Sequence, residues 1–146
     1  QKVLNERITR EGIAIAELLG ASLYLVNTYP GTPVNVAIEL PEFDPNAYND
    51  AIRKHHEDLL REHADQFGIN HMWTKVAEGL PEEVLPDMAD DLNATLMIMG
   101  CVGRTGLSAA LLGNTAEHVV DRLNCDILIL KPDDYSCPVD DRRHPA

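Results

Sequence analysis

Apolar side chains at Leu4, Ile8, Ile15, Leu18 and Leu19 form one stripe of a helix over residues 2–19, and Gly20 supplies a stop. Residues 22–27 (SLYLVN) are short, β-rich and nearly all apolar, which predicts a strand buried on both faces. A second helix is expected over residues 48–67, ending at Gly68, and a weaker strand over 69–76. Residues 81–92 read as a helix with Val84, Leu85, Met88 and Leu92 inward, and 94–99 (ATLMIM) as a buried strand. A last helix over 114–123 turns Ala116, Val119, Val120 and Leu123 inward, before a strand over 125–130 (CDILIL).

Helices alternating with apolar strands imply an α/β fold, an open parallel sheet with helices on both faces. Residues 1–131 are expected to form the domain, and 132–146 (PDDYSCPVDDRRHPA) a polar tail that Tyr135 could dock in part. The stretch 34–40 alternates, with Val34, Val36, Ile38 and Leu40 on one side, inside a proline-bracketed connection from Tyr29 to Ala47. It is either a loop folded onto its own domain or a lid or interdomain contact. As a lid, its apolar face would suit a ligand with an aliphatic part.

Composition narrows the function. Twelve basic against 24 acidic residues give a formal net charge of −12, a field that repels a phosphate backbone and argues against nucleic-acid partners. No segment approaches the roughly 18 apolar residues of a membrane span. Cys101, Cys125 and Cys137 are odd in number and lack metal-ligand spacing, which points to a reduced, cytoplasmic setting. His55, His56 and His63 lie in HHEDLLREH, but a zinc-protease His-Glu-x-x-His would need histidine where Leu60 stands. His56 and His63 are about 10 Å apart along a helix rising roughly 1.5 Å per residue, too far to share an ion. No metal site is expected, and the histidines read as solvated or boundary residues.

Residues 100–117 (GCVGRTGLSAALLGNTAE) leave a strand and enter a helix, where open α/β sheets bind ligands. Gly100 and Gly103 would let the backbone approach a ligand, and Gly113 precedes a helix N-terminus whose free N–H groups favour an anion such as phosphate. Without a Lys-Ser or Lys-Thr pair this is not a Walker loop. Arg104 either neutralises a phosphate or points into water. Cys101, the one thiol near the turn, reads as buried packing. Asn114, with Glu117 three residues on, resembles a capping box. No Ser-His-Asp or Cys-His arrangement is legible, and Glu117 and His118, being adjacent, face different ways.

Gly100, two residues, Gly103, nine residues, then Gly113 is similar to the nucleotide loop of the universal stress protein family. Residues 78–85 (EGLPEEVL) and the strand ending Met99-Gly100 resemble the same family's preceding helix and strand. The runs Gly103-Arg104-Thr105-Gly106 and Gly113-Asn114-Thr115-Ala116-Glu117, with Tyr29-Pro30 and residues 38–45 (IELPEFDP), resemble the second half of its tandem E type. The resemblance implies an adenine-nucleotide-hydrolase-like sheet and, by position, ligand contacts from Thr28, Met99, Gly100, Gly103, Gly113, Asn114 and Thr115. Two departures stand out. ATP-binding members carry Ser or Thr directly after the third glycine, often with another hydroxyl two residues later, where this chain has Asn114 and Ala116. Family domains also open on a central strand bearing an adenine-contacting Asp, whereas this chain opens at Gln1 in or just before the first helix. That strand is therefore expected from an upstream segment or another chain. The resemblance implies a stress-response domain with a modified nucleotide pocket, no evident catalysis, and a second such domain as tandem or dimer partner. An ATP-binding switch with slow hydrolysis and a binding module for an amphiphilic or nucleotide-linked small molecule remain alternatives.

Overall fold

The computed structural model describes residues 1–33, 42–101 and 113–133. The alternating segment with Val34, Val36, Ile38 and Leu40, the turn residues Gly103 and Arg104, and the tail from residue 134 with Tyr135 and Cys137 lie outside them. The described elements are α1 (Lys2–Leu19), β1 (Leu25–Tyr29), α2 (Pro45–Gln66), β2 (Thr74–Glu78), α3 (Pro81–Asp91), β3 (Leu96–Gly100), α4 (Asn114–Arg122) and β4 (Asp126–Leu130), with a 3-10 turn at His71–Trp73.

Helix ends follow local chemistry. Gly20 takes φ 61° and lets the Ala21 N–H return to the Ala16 carbonyl at 2.9 Å, closing α1 in a Schellman turn. α2 begins three residues earlier than its apolar pattern suggests. The Asp44 carboxylate accepts from the N–H groups of Asn46 and Ala47, and Pro45 is pre-set for the first helical position. The strands begin one to five residues later than their apolar runs. Residues ahead of the ladders pack through side chains instead, as where Tyr24 meets Trp73 edge-on at 5.0 Å. Leu18 and Leu19, part of the predicted apolar stripe, are 84% and 64% exposed at the last turn of α1. On α4 only Ala116 and Val119 are buried, while Val120 is exposed.

All pairings are parallel, but the strands form two pairs rather than one ladder. β1 pairs with β2 in the register Leu25↔Thr74 to Tyr29↔Glu78. β3 pairs with β4 from Leu96↔Asp126 to Gly100↔Leu130. No hydrogen-bonded neighbour joins the pairs among the described residues. Helices span the break instead. α1 packs on β3 and, at Gly12, against both Leu23 ahead of β1 and Ile98 of β3. α1 and α2 are tied by a 2.8 Å Thr9–His63 hydrogen bond and by Arg10 lying 5.8 Å from the centre of the Phe67 ring. α3 packs on β1 and along α4, where Arg122 donates to the Glu82 carbonyl at 3.2 Å. After β4, Arg7 donates to the Lys131 carbonyl and to Asp133, both at 2.9 Å, holding the outgoing chain against α1.

Candidate functional site

Three of the sequence-predicted residues fall at the C-terminal ends of strands and three at the start of α4. Thr28 lies one residue before the end of β1, and Met99 and Gly100 close β3. Beyond Gly100 the Cys101 N–H continues the ladder onto the Leu130 carbonyl at 2.9 Å. The Cys101 side chain is buried and its Sγ accepts from the Gly113 N–H at 3.2 Å. That bond fixes the start of α4 against the end of β3, bringing Met99, Gly100, Gly113, Asn114 and Thr115 to one corner. Thr28 belongs to the other strand pair.

Two assignments change. Gly113, not Asn114, is the N-cap of α4, and no side chain caps that helix. Its carbonyl accepts from the Glu117 N–H at 3.0 Å, so Glu117 is one place too far along for a capping box. Asn114 is exposed at the first helical position, and the first N–H groups of α4 are left without intrahelical acceptors. Gly100 is bare for a packing reason. A Cβ there would stand 2.8 Å from both Ile8 Cδ1 and Leu4 Cδ2, so α1 fills the space that the sequence reading gave to a ligand.

The histidines divide between separate jobs. His56 stacks on Tyr29 with ring centres 5.6 Å apart, and its Nδ1 lies 3.4 Å from the Asn27 amide nitrogen. His63 meets Thr9, whose hydroxyl hydrogen goes to the Asn5 carbonyl at 3.0 Å, so the Thr9 oxygen must accept from His63 Nε2–H. Among the described residues no group of three His, Cys, Asp or Glu side chains is placed to hold a metal ion. No described helix is long and apolar enough to cross a membrane.

Sequence reasoning missed Gly79 and Tyr29. Gly79 takes φ 136° between β2 and α3, and its N–H donates to the Tyr29 carbonyl at 2.9 Å. A glycine just before Leu-Pro at a helix start was the available signal. Tyr29 is 2% exposed and anchors the end of β1 beside Thr28.

Burial raises the pKa of the Cys125 thiol, and the carboxylates of Asp126 and Asp90 add to the shift. Less thiolate is present near neutrality than on an ordinary cysteine, so Cys125 should alkylate slowly there and accelerate only in alkaline buffer. Asp126→Asn should speed iodoacetamide labelling near pH 8, read by peptide mass spectrometry. An unchanged rate would show that access, not charge, limits the thiol.

Residues 4–131 match the model of the universal stress protein family. Universal stress protein E of Escherichia coli K12 is 54% identical over 138 residues, covering 94% of this chain and 44% of that protein. A functionally unknown Pseudomonas aeruginosa protein, PA1789, superposes with TM-score 0.69 at 30% identity, over 92% of this chain and 43% of its own. A universal stress protein crystallised in complex with cAMP superposes with TM-score 0.50 at 23% identity, over 86% of this chain and 85% of its own. The chain spans a little under half the length of the curated relatives it matches first.

Proposed function

This chain belongs to the universal stress protein family, and from that premise we propose that it serves as one half of a tandem stress-response protein. In this reading it acts by binding a nucleotide-containing ligand, not by catalysis, and works in a reduced cytoplasm. The site is the corner where β3 ends and α4 begins. The observation that carries the reading is the Cys101–Gly113 contact. It holds the uncapped N-terminus of α4 at the C-terminal end of the parallel strand β3, where backbone N–H groups and the helix dipole favour phosphate. Met99 and Gly100 would form the wall, Gly113, Asn114 and Thr115 the phosphate end, and Thr28 the far side. Gly103 and Arg104, with Val34, Val36, Ile38 and Leu40 as a lid, complete the proposed contacts. The cAMP-bound relative shares this fold and makes a nucleotide the first ligand class to test.

In this reading the pocket lacks the hydroxyl that ATP-binding members carry directly after the third glycine, where Asn114 stands, and the second one that often follows, where Ala116 stands. Each polar contact to a charged group that is absent forfeits roughly 1.5–3 kcal/mol. ATP should therefore bind no tighter than tens of micromolar, as an order of magnitude. Asn114→Ser restores a hydroxyl at the mouth and should raise ATP affinity several-fold in calorimetric titration. Asn114→Ala should gain none. Because Asn114 caps nothing, both variants should stay within about 0.5 kcal/mol of the parent in stability. If Asn114→Ser melts normally and still ignores ATP, the corner is shaped for another ligand.

A further inference from the structure

Ahead of the N-terminal ends of β1 and β2, away from the strand ends that carry the candidate site, the chain leaves an open cleft of about 380 Å³. Ser22, Leu23, Gly68, Ile69, Asn70 and Trp73 line it. It forms where two helices stop. α1 closes at Gly20 and α2 at Phe67, and each connection then runs to the strand that follows, the second by way of the His71–Trp73 turn. Gly68 sits at φ 67° with nothing within 4 Å of its Cβ position, so that wall stays unfilled. The volume is at the small end of the roughly 300–1,000 Å³ of small-molecule sites, room for one ring and a short chain.

The walls and the local field favour one sign of charge. Leu23, Ile69 and Trp73 are half-buried and give the cleft its apolar surface. The Tyr24 ring meets Trp73 at 75° and 5.0 Å, which fixes the plane of the indole, and an indole face attracts cations. Both helices also bring their C-terminal ends here. The N–H groups of Gly20 and Ala21 return to Glu17 and Ala16 of α1, and those of Phe67, Gly68 and Ile69 return to Ala64 and Asp65 of α2. The later carbonyls of each last turn have no helical donor, and the helix dipole makes that end negative. The last turn of α1 holds no basic side chain, and that of α2 holds only His63, whose Nε2–H goes to Thr9. His71 is matched by Asp65 at 2.6 Å and Arg10 by Glu6 at 3.4 Å, so these cations do not offset the two helix ends. The net charge of −12 adds to the same sign.

We propose that this cleft is a second ligand site, for a small organic cation that carries one aromatic ring or an aliphatic body of similar size. The body leaves water for Leu23, Ile69 and the Trp73 ring, while the ammonium stays at the mouth. There the exposed Ser22 hydroxyl accepts a hydrogen bond from it, and the ends of α1 and α2 stabilise its charge. A carboxylate or phosphate in the same place would meet both helix dipoles the wrong way round. The start of α4 favours an anion for the mirror reason, so the two sites select opposite charges. The cation site stands on its own lining and does not depend on the nucleotide reading.

The indole N–H signal of Trp73 in nitrogen–proton correlation spectra tests this with three probes of one shape: phenethylammonium, phenethyl alcohol and hydrocinnamate, at neutral pH. The signal is assigned by its loss in Trp73→Phe. Phenethylammonium should move it saturably and bind about fivefold more tightly than the neutral alcohol, with hydrocinnamate the weakest. Ser22→Arg puts the chain's own guanidinium at the mouth, on an exposed residue, and should weaken phenethylammonium about tenfold at an unchanged unfolding midpoint. No saturable shift with any probe would overturn the site. Equal affinities for the three probes would overturn the cation preference, and the proposal with it. Unchanged phenethylammonium binding in Ser22→Arg would place the ligand outside the cleft and overturn the proposal as well. ATP titration reads the other end of the strands, so a silent nucleotide site leaves this result untouched.

Discussion

Gly79→Ala lowers the stability of the domain by about 3 kcal/mol and its thermal midpoint by about 10 °C, taking about 2–4 °C per kcal/mol for a chain of this size. Two penalties combine at one atom. A φ of 136° lies in a region essentially restricted to glycine, where another residue costs about 1–3 kcal/mol. The added Cβ would also run into Val84 Cγ2 on the first turn of α3. Neither side can yield cheaply. The Gly79 N–H is engaged by the Tyr29 carbonyl, and α3 is fixed against β1 and α4. Gly79→Ala with Val84→Ala should recover only the steric share, about a third to a half, because the φ penalty stays. Gly68→Ala is the comparison. It also replaces a positive-φ glycine, at 67°, but nothing lies within 4 Å of its Cβ position, so it should cost about 1 kcal/mol. Equal losses at the two sites would show that Val84 moves aside and that conformation alone sets the cost.

How much of this was legible in the sequence depended on what each feature is made of. Element order and type were, because apolar period and glycine or proline punctuation are local properties: Gly20 ends α1 and Pro81 opens α3 where the pattern places them. Strand limits were not. A ladder starts where a partner lies, and Leu23 and Tyr24 look like strand until Thr74 is found opposite Leu25. The site was legible as a spacing of glycines but not as a set of roles. Gly100 reads identically whether its missing Cβ makes room for a ligand or for Leu4 and Ile8. The capping box at Asn114 failed by one residue, a shift set by where Cys101 catches the Gly113 N–H. Asn27 and Tyr29 were unreadable for a related reason. A polar residue and an aromatic in a strand acquire meaning only when His56, 29 positions from Asn27, arrives over them.

Tyr29→Ala produces a loss of about 3–5 kcal/mol, the range for removing a large buried aromatic side chain. Tyr29 and Val119 are the largest fully buried side chains among the described residues, and of the two Tyr29 has far more volume to lose. Its ring lies 25° from parallel to the His56 ring, so truncation empties the space between β1 and α2 and strips one face of the imidazole. The backbone there is doubly committed, to Glu78 in the β1–β2 register and through its carbonyl to Gly79. Collapse into the cavity is therefore restricted, and the cost should fall in the upper part of the range. Tyr29→Phe keeps the buried ring and its stacking on His56, so it should retain most of the stability. His56→Ala should cost less than Tyr29→Ala, because His56 is only half-buried. A double-mutant cycle of Tyr29→Phe and Tyr29→Ala against His56→Ala, read by urea unfolding, separates stacking from burial. Coupling of about 0.5–1.5 kcal/mol for the ring deletion and near zero for the hydroxyl deletion is the expected pattern. A Tyr29→Ala variant within 1 kcal/mol of the parent would mean that the end of β1 is not held by this ring, and that Thr28 has no fixed position on the candidate site.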